Sequence, residues 1–130
     1  MTRVITFGTF DIFHVGHLNI LKRAAEYGDY LIVGVSTDAL NFSKKQRYPV
    51  CPQNSRAEIV DALACVDHVF YEESLELKRQ YIIDHKADFL VMGDDWQGKF
   101  DEFSDICKVV YLPRTPSIST TELIEIVKER

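Results

Sequence analysis

The chain predicts an α/β fold, a mainly parallel sheet flanked by helices, and three features carry that expectation. Val4-Ile5-Thr6-Phe7 is a short apolar, β-branched run that turns at Gly8, and an amphipathic stretch follows with Leu18, Leu21, Ala24 and Ala25 on one stripe. Tyr30-Leu31-Ile32-Val33-Gly34-Val35 then forms a continuous apolar run, suited to a strand buried on both faces of a parallel sheet. Strand, helix and strand at this spacing make a βαβ unit, whose crossover is right-handed. A length of 130 residues fits one domain spanning residues 1–130, and no linker, repeat or low-complexity tract interrupts it.

The first helix is expected from about Val15 to Tyr27, closing on Gly28 as a left-handed cap. A helix that begins near Gly16-His17 aims free backbone N–H groups at the preceding turn, and its dipole favours an anion there, usually phosphate. His14 and His17 can reach the same anion, and Gly16, without a Cβ, lets it approach the backbone. After Ser36-Thr37-Asp38, the segment from Asn41 to Asn54 holds Lys44, Lys45, Arg47, Pro49 and Pro52 with little periodicity. It reads as a long loop and the one basic cluster in an acidic chain: either a solvated surface, or mobile cations that close over a phosphate.

Ser55-Arg56-Ala57-Glu58 reads as a capping box, with a helix from Arg56 sending Ile59, Val60, Leu63 and Ala64 to the core. A cation in that first turn opposes the dipole, which suggests a second task for Arg56, such as pairing with a phosphate. Val66 to Tyr71 reads as a short strand, and Ser74 as the cap of a helix from Leu75 to about His85 with Leu75, Tyr81 and Ile82 inward. On pattern alone Lys78 is a solvated helical lysine. Phe89-Leu90-Val91-Met92 is the next buried strand. Gly93-Asp94-Asp95-Trp96 follows at its C-terminal end, where open α/β sheets bind ligands. The two acids either cap a turn or accept hydrogen bonds from ribose hydroxyls or a base amino group, and Trp96 either packs or walls a nucleotide. A short helix from Phe100 to Ile106, a strand from Lys108 to Leu112 and a turn-rich connection lead to Ser119-Thr120-Thr121-Glu122. That second capping box opens a last helix with Leu123, Ile124 and Val127 inward.

Hydrophobic residues make up 46% and charged residues 27%, ordinary for a chain that buries a core. A net charge of −5 without a Lys/Arg stripe argues against a nucleic-acid partner. The apolar runs are too short for membrane insertion, and Met1-Thr2-Arg3 leads into a strand without a signal peptide. Cys51, Cys65 and Cys107 are widely spaced without a C-x-x-C pair and read as free thiols; the expected location is the cytoplasm. His68 and His85 read as structural, and no residues show zinc spacing.

Gly8-Thr9-Phe10-Asp11 followed by His14-Val15-Gly16-His17 resembles the nucleotidyltransferases that carry an HxGH motif. Met92-Gly93-Asp94-Asp95-Trp96-Gln97-Gly98-Lys99 and Arg114-Thr115-Pro116-Ser117-Ile118-Ser119-Thr120-Thr121 resemble the cytidylyltransferase branch, most of all its members that use glycerol 3-phosphate. The likeness runs from about Val4 to the last helix. It implies a Rossmann-like domain of nucleotidyltransferase type, in which a phosphomonoester oxygen attacks the α-phosphorus of CTP and pyrophosphate leaves, with no covalent enzyme intermediate. Catalysis is then mainly positioning and charge stabilisation. The resemblance gives His14, His17, Lys44 and Arg114 the catalytic roles. Gly8, Thr9, Phe10, Gly16, Gly93, Asp95, Thr115, Ile118, Ser119, Thr120 and Thr121 join His14, His17 and Arg114 around CTP. Lys44 and Lys78 match positions that hold the acceptor phosphate, and Asp11 and Arg56 are further candidates on the substrate side. Mg²⁺ is expected to enter with CTP on phosphate oxygens and waters, with Asp11 the candidate protein ligand. A homodimer is implied as well. Ser117 stands where the family usually has Gly, Ala64 where the glycerol-phosphate members have Arg, and Leu75 where they have Trp. The acceptor is therefore open between glycerol 3-phosphate and phosphocholine, phosphoethanolamine or a phosphorylated amide or polyol. A non-catalytic nucleotide-binding regulatory module is the alternative of another class.

Overall fold

In the computed structural model, which describes residues 1–115 and 118–130, five strands form one sheet. They are β1 (Arg3–Gly8), β2 (Tyr30–Ser36), β3 (His68–Glu72), β4 (Phe89–Gly93) and β5 (Lys108–Leu112). Their order is β3-β2-β1-β4-β5, and every neighbouring pair is parallel. The expected α/β architecture is therefore the observed one. Val4, Ile5, Leu31, Ile32, Leu90 and Val91 are all buried, as central parallel strands covered on both faces require. Helices α1 (Val15–Ala25) and α3 (Gln53–Asp61) cover one face, where Leu21, Ala24 and Val60 pack with Val4, Leu31, Val33 and Val91. The other face takes α4 (Lys78–Asp84) and the 3₁₀ segment Asp101–Asp105, with Ile82 and Phe103 against Ile5, Ile32, Leu90 and Met92. Beyond these lie α2 (Asp38–Lys45), directly after β2, and α5 (Thr120–Lys128), which closes the chain. From β1 the chain builds outward to β2 and β3 on one side, then returns to β4 and β5 on the other. That switch point leaves a crevice beyond the C-terminal ends of the strands.

Several elements differ from the expectations. Helix α1 stops at Ala25 with Glu26 in a right-handed cap, so Gly28 is no left-handed cap. A Cβ on Gly28 would stand 2.5 Å from the Thr2 carbonyl oxygen, and that oxygen accepts the N–H groups of Asp29 and Tyr30. The glycine is there for close chain approach. The segment from Asn41 to Asn54 is not one long loop, because α2 occupies it through Lys45. Thr37 caps this helix by accepting the Leu40 N–H at 3.1 Å, Asp38 suits its dipole, and Gln46 ends it in the left-handed region at φ 59°. Eight residues with only Leu40 and Asn41 buried give too few turns to show a period.

Helix α3 begins at Gln53 after Pro52, and the box expected at Ser55 does not form. Asp38 and Gln53 instead exchange hydrogen bonds: the Asp38 N–H donates to Gln53 Oε1, and the Gln53 N–H donates to Asp38 Oδ2. Val60 reaches the core, but Ile59 and Ala64 are exposed. Ser74 caps only a 3₁₀ turn, Leu75–Leu77, and Leu75 is exposed rather than inward. Ser119 does cap α5, accepting the Glu122 N–H at 3.1 Å, yet Val127 faces solvent. Among the described residues no helix is long and apolar enough to cross a membrane.

Candidate active site

The turn after β1 is built around two histidines that cap their own helix. His14 is the N-cap of α1, and its Nδ1 accepts the Gly16 N–H at 3.0 Å. His17 Nδ1 in turn accepts the His14 N–H at 3.2 Å. Two imidazoles thus take the places of the Ser and Glu of an ordinary capping box. The consequence is chemical: with Nδ1 accepting, each neutral ring carries its hydrogen on Nε2 and offers a donor on its far side. The rings stack with centroids 3.8 Å apart. Burial, then repulsion from His14, pulls His17 down to about 4 against the opposing pull of Asp11, while burial lowers His14. A Cβ on Gly16 would lie 2.7 Å from His14 Cε1, so glycine is needed for the imidazole to fold over the helix end. Gly8 serves the same turn: a Cβ there would lie 2.8 Å from Phe10 Cζ, and Phe10 and Ile12 both adopt positive φ.

Next to this turn a cavity of about 630 Å³ fills the crevice at the switch point. Gly8, Thr9, Phe10 and Asp11 line it from the turn, His17 from α1, Lys44 and Lys45 from α2, Gly93, Asp95 and Trp96 from the end of β4, and Thr120 and Thr121 from α5. Glu72 and Lys78 complete the side under β3. Thr120 Oγ1 donates to the Asp11 carbonyl at 2.9 Å, which fastens the start of α5 to the histidine turn. Other sequence candidates stand outside the lining. His14 stacks behind His17. Ile118 lies near the start of α1, with its Cγ2 3.3 Å from where a Gly16 Cβ would be. Thr115 Oγ1 accepts from Asn19 Nδ2 at 3.1 Å, Ser119 caps α5, and Arg114 is exposed. Ser117 lies outside the described residues.

Two candidates are corrected. Arg56 is 1% exposed, and four of its five N–H donors are taken: Nε by the Cys51 carbonyl, Nη1 by the Thr9 and Ser36 carbonyls, and one on Nη2 by Asp38 at 2.7 Å. A guanidinium so committed ties α3 to β1, β2 and α2 rather than meeting a phosphate. Asp11 accepts the Val50 N–H on Oδ2 and the Cys51 N–H on Oδ1, so both oxygens anchor the chain segment after α2. It does not fit the part of a free metal ligand, and no group of three or more His, Cys, Asp or Glu able to hold a metal occurs among the described residues.

The sequence model described as cytidylyltransferase-like matches residues 5–126. The chain belongs to that family. It is 50% identical over 125 residues to the glycerol-3-phosphate cytidylyltransferase of Bacillus subtilis (strain 168), with 96% of each chain covered. It is 42% identical over 123 residues to that of Staphylococcus aureus (strain NCTC 8325 / PS 47), covering 95% of this chain and 92% of the other. Among solved structures, the lipopolysaccharide core biosynthesis protein from Thermoplasma volcanium GSS1 superposes with a TM-score of 0.75 at 27% identity, over 88% of this chain and 98% of that one.

This cytidylyltransferase-like chain holds one charged group that reading the sequence missed. Glu72, at the C-terminal end of β3 opposite Ser36, is 2% exposed and pairs with Lys78 Nζ at 2.6 Å. Lys78 is itself buried, with its ammonium 3.8 Å from the Phe7 ring centroid, so it is not the solvated lysine its pattern suggests. Burial lowers its pKa and Glu72 raises it, and burial likewise lowers Lys44 while Glu72 opposes that shift. One carboxylate thus opposes the effect of burial on two lysines. The signal available in the sequence was only Glu72's place at the end of a short strand, where open sheets put functional groups. Asn41 was missed too: it accepts from Thr9 Oγ1 and donates to Ser36, which steadies the glycine turn.

Proposed function

We propose that the protein is a glycerol-3-phosphate cytidylyltransferase, which transfers CMP from CTP to sn-glycerol 3-phosphate and releases pyrophosphate. The observation that carries this reading is the pairing, in one cavity, of a neutral His17 donor at a helix start with two lysines, the buried Lys78 and the exposed Lys44. The acceptor's phosphate oxygen attacks the α-phosphorus, and the bond from that phosphorus to the pyrophosphate oxygen breaks. His17 and His14 donate from Nε2 to phosphate oxygens on which negative charge grows, and the α1 N-terminus adds its dipole. Lys44 and Lys78 hold the acceptor phosphate against the charge of the triphosphate. Gly8, Thr9, Phe10, Gly16, Gly93, Asp95 and the stretch Arg114, Thr115, Ile118 to Thr121 cradle CTP, with Arg114 moving in from its exposed position. Mg²⁺ accompanies the nucleotide on phosphate oxygens and water, and among the described residues no group of three or more His, Cys, Asp or Glu could cage it. The working form is a homodimer, for which the exposed Ile126 and Val127 of α5 supply apolar surface.

One observation favours a second acceptor. Leu75, which lines the cavity and is exposed, leaves room on the acceptor side for a group other than glycerol. Incubating the protein with CTP, Mg²⁺ and a panel of phosphomonoesters, followed by mass analysis of the products, tests the reading. CDP-glycerol is expected as the main product. CDP-choline or CDP-ethanolamine in its place would move the assignment to that acceptor, and no CDP product would leave nucleotide binding alone.

A further inference from the structure

We infer that Glu72 selects the acceptor by taking a hydrogen bond from a hydroxyl group on it, so that the cavity is built for a phosphorylated polyol rather than for an alkyl or amino phosphate. The inference rests on the cytidylyl-transfer reading above and adds what recognises the non-phosphate end of the acceptor. Its basis is the division of labour between the two carboxylate oxygens. Oε2 is held by Lys78 Nζ at 2.6 Å. Oε1 has no hydrogen-bond partner among the described residues. Yet no fully buried side-chain nitrogen or oxygen among those residues lacks a partner. Oε1 is therefore the part of Glu72 that opens into the cavity, whose lining includes Glu72, Lys44 and Lys78 together.

A desolvated carboxylate oxygen with a spare lone pair asks for a donor, and a hydroxyl supplies one. An ammonium or quaternary ammonium group fits less well. Lys78 already neutralises Glu72 from 2.6 Å away, and Lys44 adds a second positive charge nearby, so a further cation meets net repulsion. An alkyl phosphate offers nothing to Oε1 and leaves it stripped of water. The location is apt. Glu72 ends β3, two strands from β1 on one side, whereas Asp95 follows β4 on the other side of β1. A phosphate between Lys44 and Lys78 would place a short polyol arm within reach of Oε1.

The test compares kcat/KM for sn-glycerol 3-phosphate, n-propyl phosphate and phosphoethanolamine in the wild-type enzyme and in Glu72→Gln, with CTP saturating. In the variant the amide oxygen turns to Lys78 and the NH₂ group faces the cavity, so the anionic acceptor is lost while the shape is kept. The wild type is expected to prefer glycerol 3-phosphate over the other two by about a hundredfold, and the variant to lose about tenfold of its preference over n-propyl phosphate. Equal loss with all acceptors, or no loss, overturns the inference while cytidylyl transfer stands. A wild type that uses n-propyl phosphate as well as glycerol 3-phosphate overturns it without any variant, which settles the matter if Glu72→Gln folds poorly. A wild type with no turnover on glycerol 3-phosphate overturns both readings.

Discussion

In the proposed reaction His17 acts as a neutral donor because its other nitrogen is engaged in the helix cap: protonating Nδ1 would break the bond from the His14 N–H. His17→Ala is expected to keep the fold and lower kcat by roughly two to four orders of magnitude, the range for losing one charge-stabilising donor. Near-normal turnover in a folded variant would refute the role. The same lowered pKa makes stability depend on pH. With a folded value of about 4 against an ordinary 6.5, the unfolded chain binds more protons between those limits. Stability from this group is then fully present above 6.5 and is lost as the pH falls toward 4. Thermal midpoints of the ligand-free protein should drop across that window, and His17→Asn should flatten the slope; an unchanged slope counts against a neutral, buried imidazole. Arg56 belongs at this scale too. Arg56→Met strands three backbone carbonyls and Asp38, so urea unfolding should show a loss of about 3 kcal/mol or more. A loss under 1 kcal/mol would mean that water replaces those contacts. The sequence did mark Arg56 as anomalous, through its conflict with the helix dipole, but pointed to the wrong partner. Of the oxygens it meets, the Cys51 carbonyl is local, but those of Thr9 and Ser36 are distant in sequence and are brought to it only by the fold.

Among the elements, α2 and the segment after it behave differently from the mobile loop that composition suggests. Lys44 and Lys45 ride on the last turn of a helix, about 100° apart, instead of alternating on an extended chain. Both are exposed and line the cavity, but it is Lys44 whose ammonium partial burial disfavours and the Glu72 charge supports. Lys44→Ala is therefore expected to reduce kcat/KM for the acceptor by tenfold or more and Lys45→Ala by less than threefold; the reverse order would contradict the placement. The stretch from Gln46 to Pro52 lies outside regular secondary structure, and Asp11 holds its far end through the Val50 and Cys51 N–H groups. Asp11→Asn should make this stretch cleave faster under limited proteolysis, with CTP and Mg²⁺ restoring protection in the wild type. Equal cleavage in wild type and variant would show that Asp11 is no tether. Long apolar strands, the helix start after the glycine turn and the cap at Ser119 could be read from sequence because their determinants are local. Helix α2 and the start of α3 could not, because Asp38 and Gln53, fifteen positions apart, cap each other.

At the scale of the molecule, the strand order turns separate sequence motifs into one site. The histidine turn follows β1, Asp95 follows β4 and Thr120 opens α5, and only the switch between β1 and β4 makes them neighbours. The motif residues were legible because each stands at a strand end or helix start. Glu72 was not, since its place at the end of a short strand is its only local sign and no motif surrounds it; its part shows only when Lys78 folds over it. The exposed face of α5 argues for a dimer, and sedimentation at micromolar concentration should show one; a monomer there would contradict it. The most direct test of the whole account is steady-state pyrophosphate release with sn-glycerol 3-phosphate as acceptor, comparing CTP with ATP at equal Mg²⁺. The account predicts kcat/KM for CTP at least a hundredfold above that for ATP, and its collapse in His17→Ala. Equal or faster turnover of ATP, or CTP turnover that survives the loss of His17, would contradict cytidylyl transfer at this site.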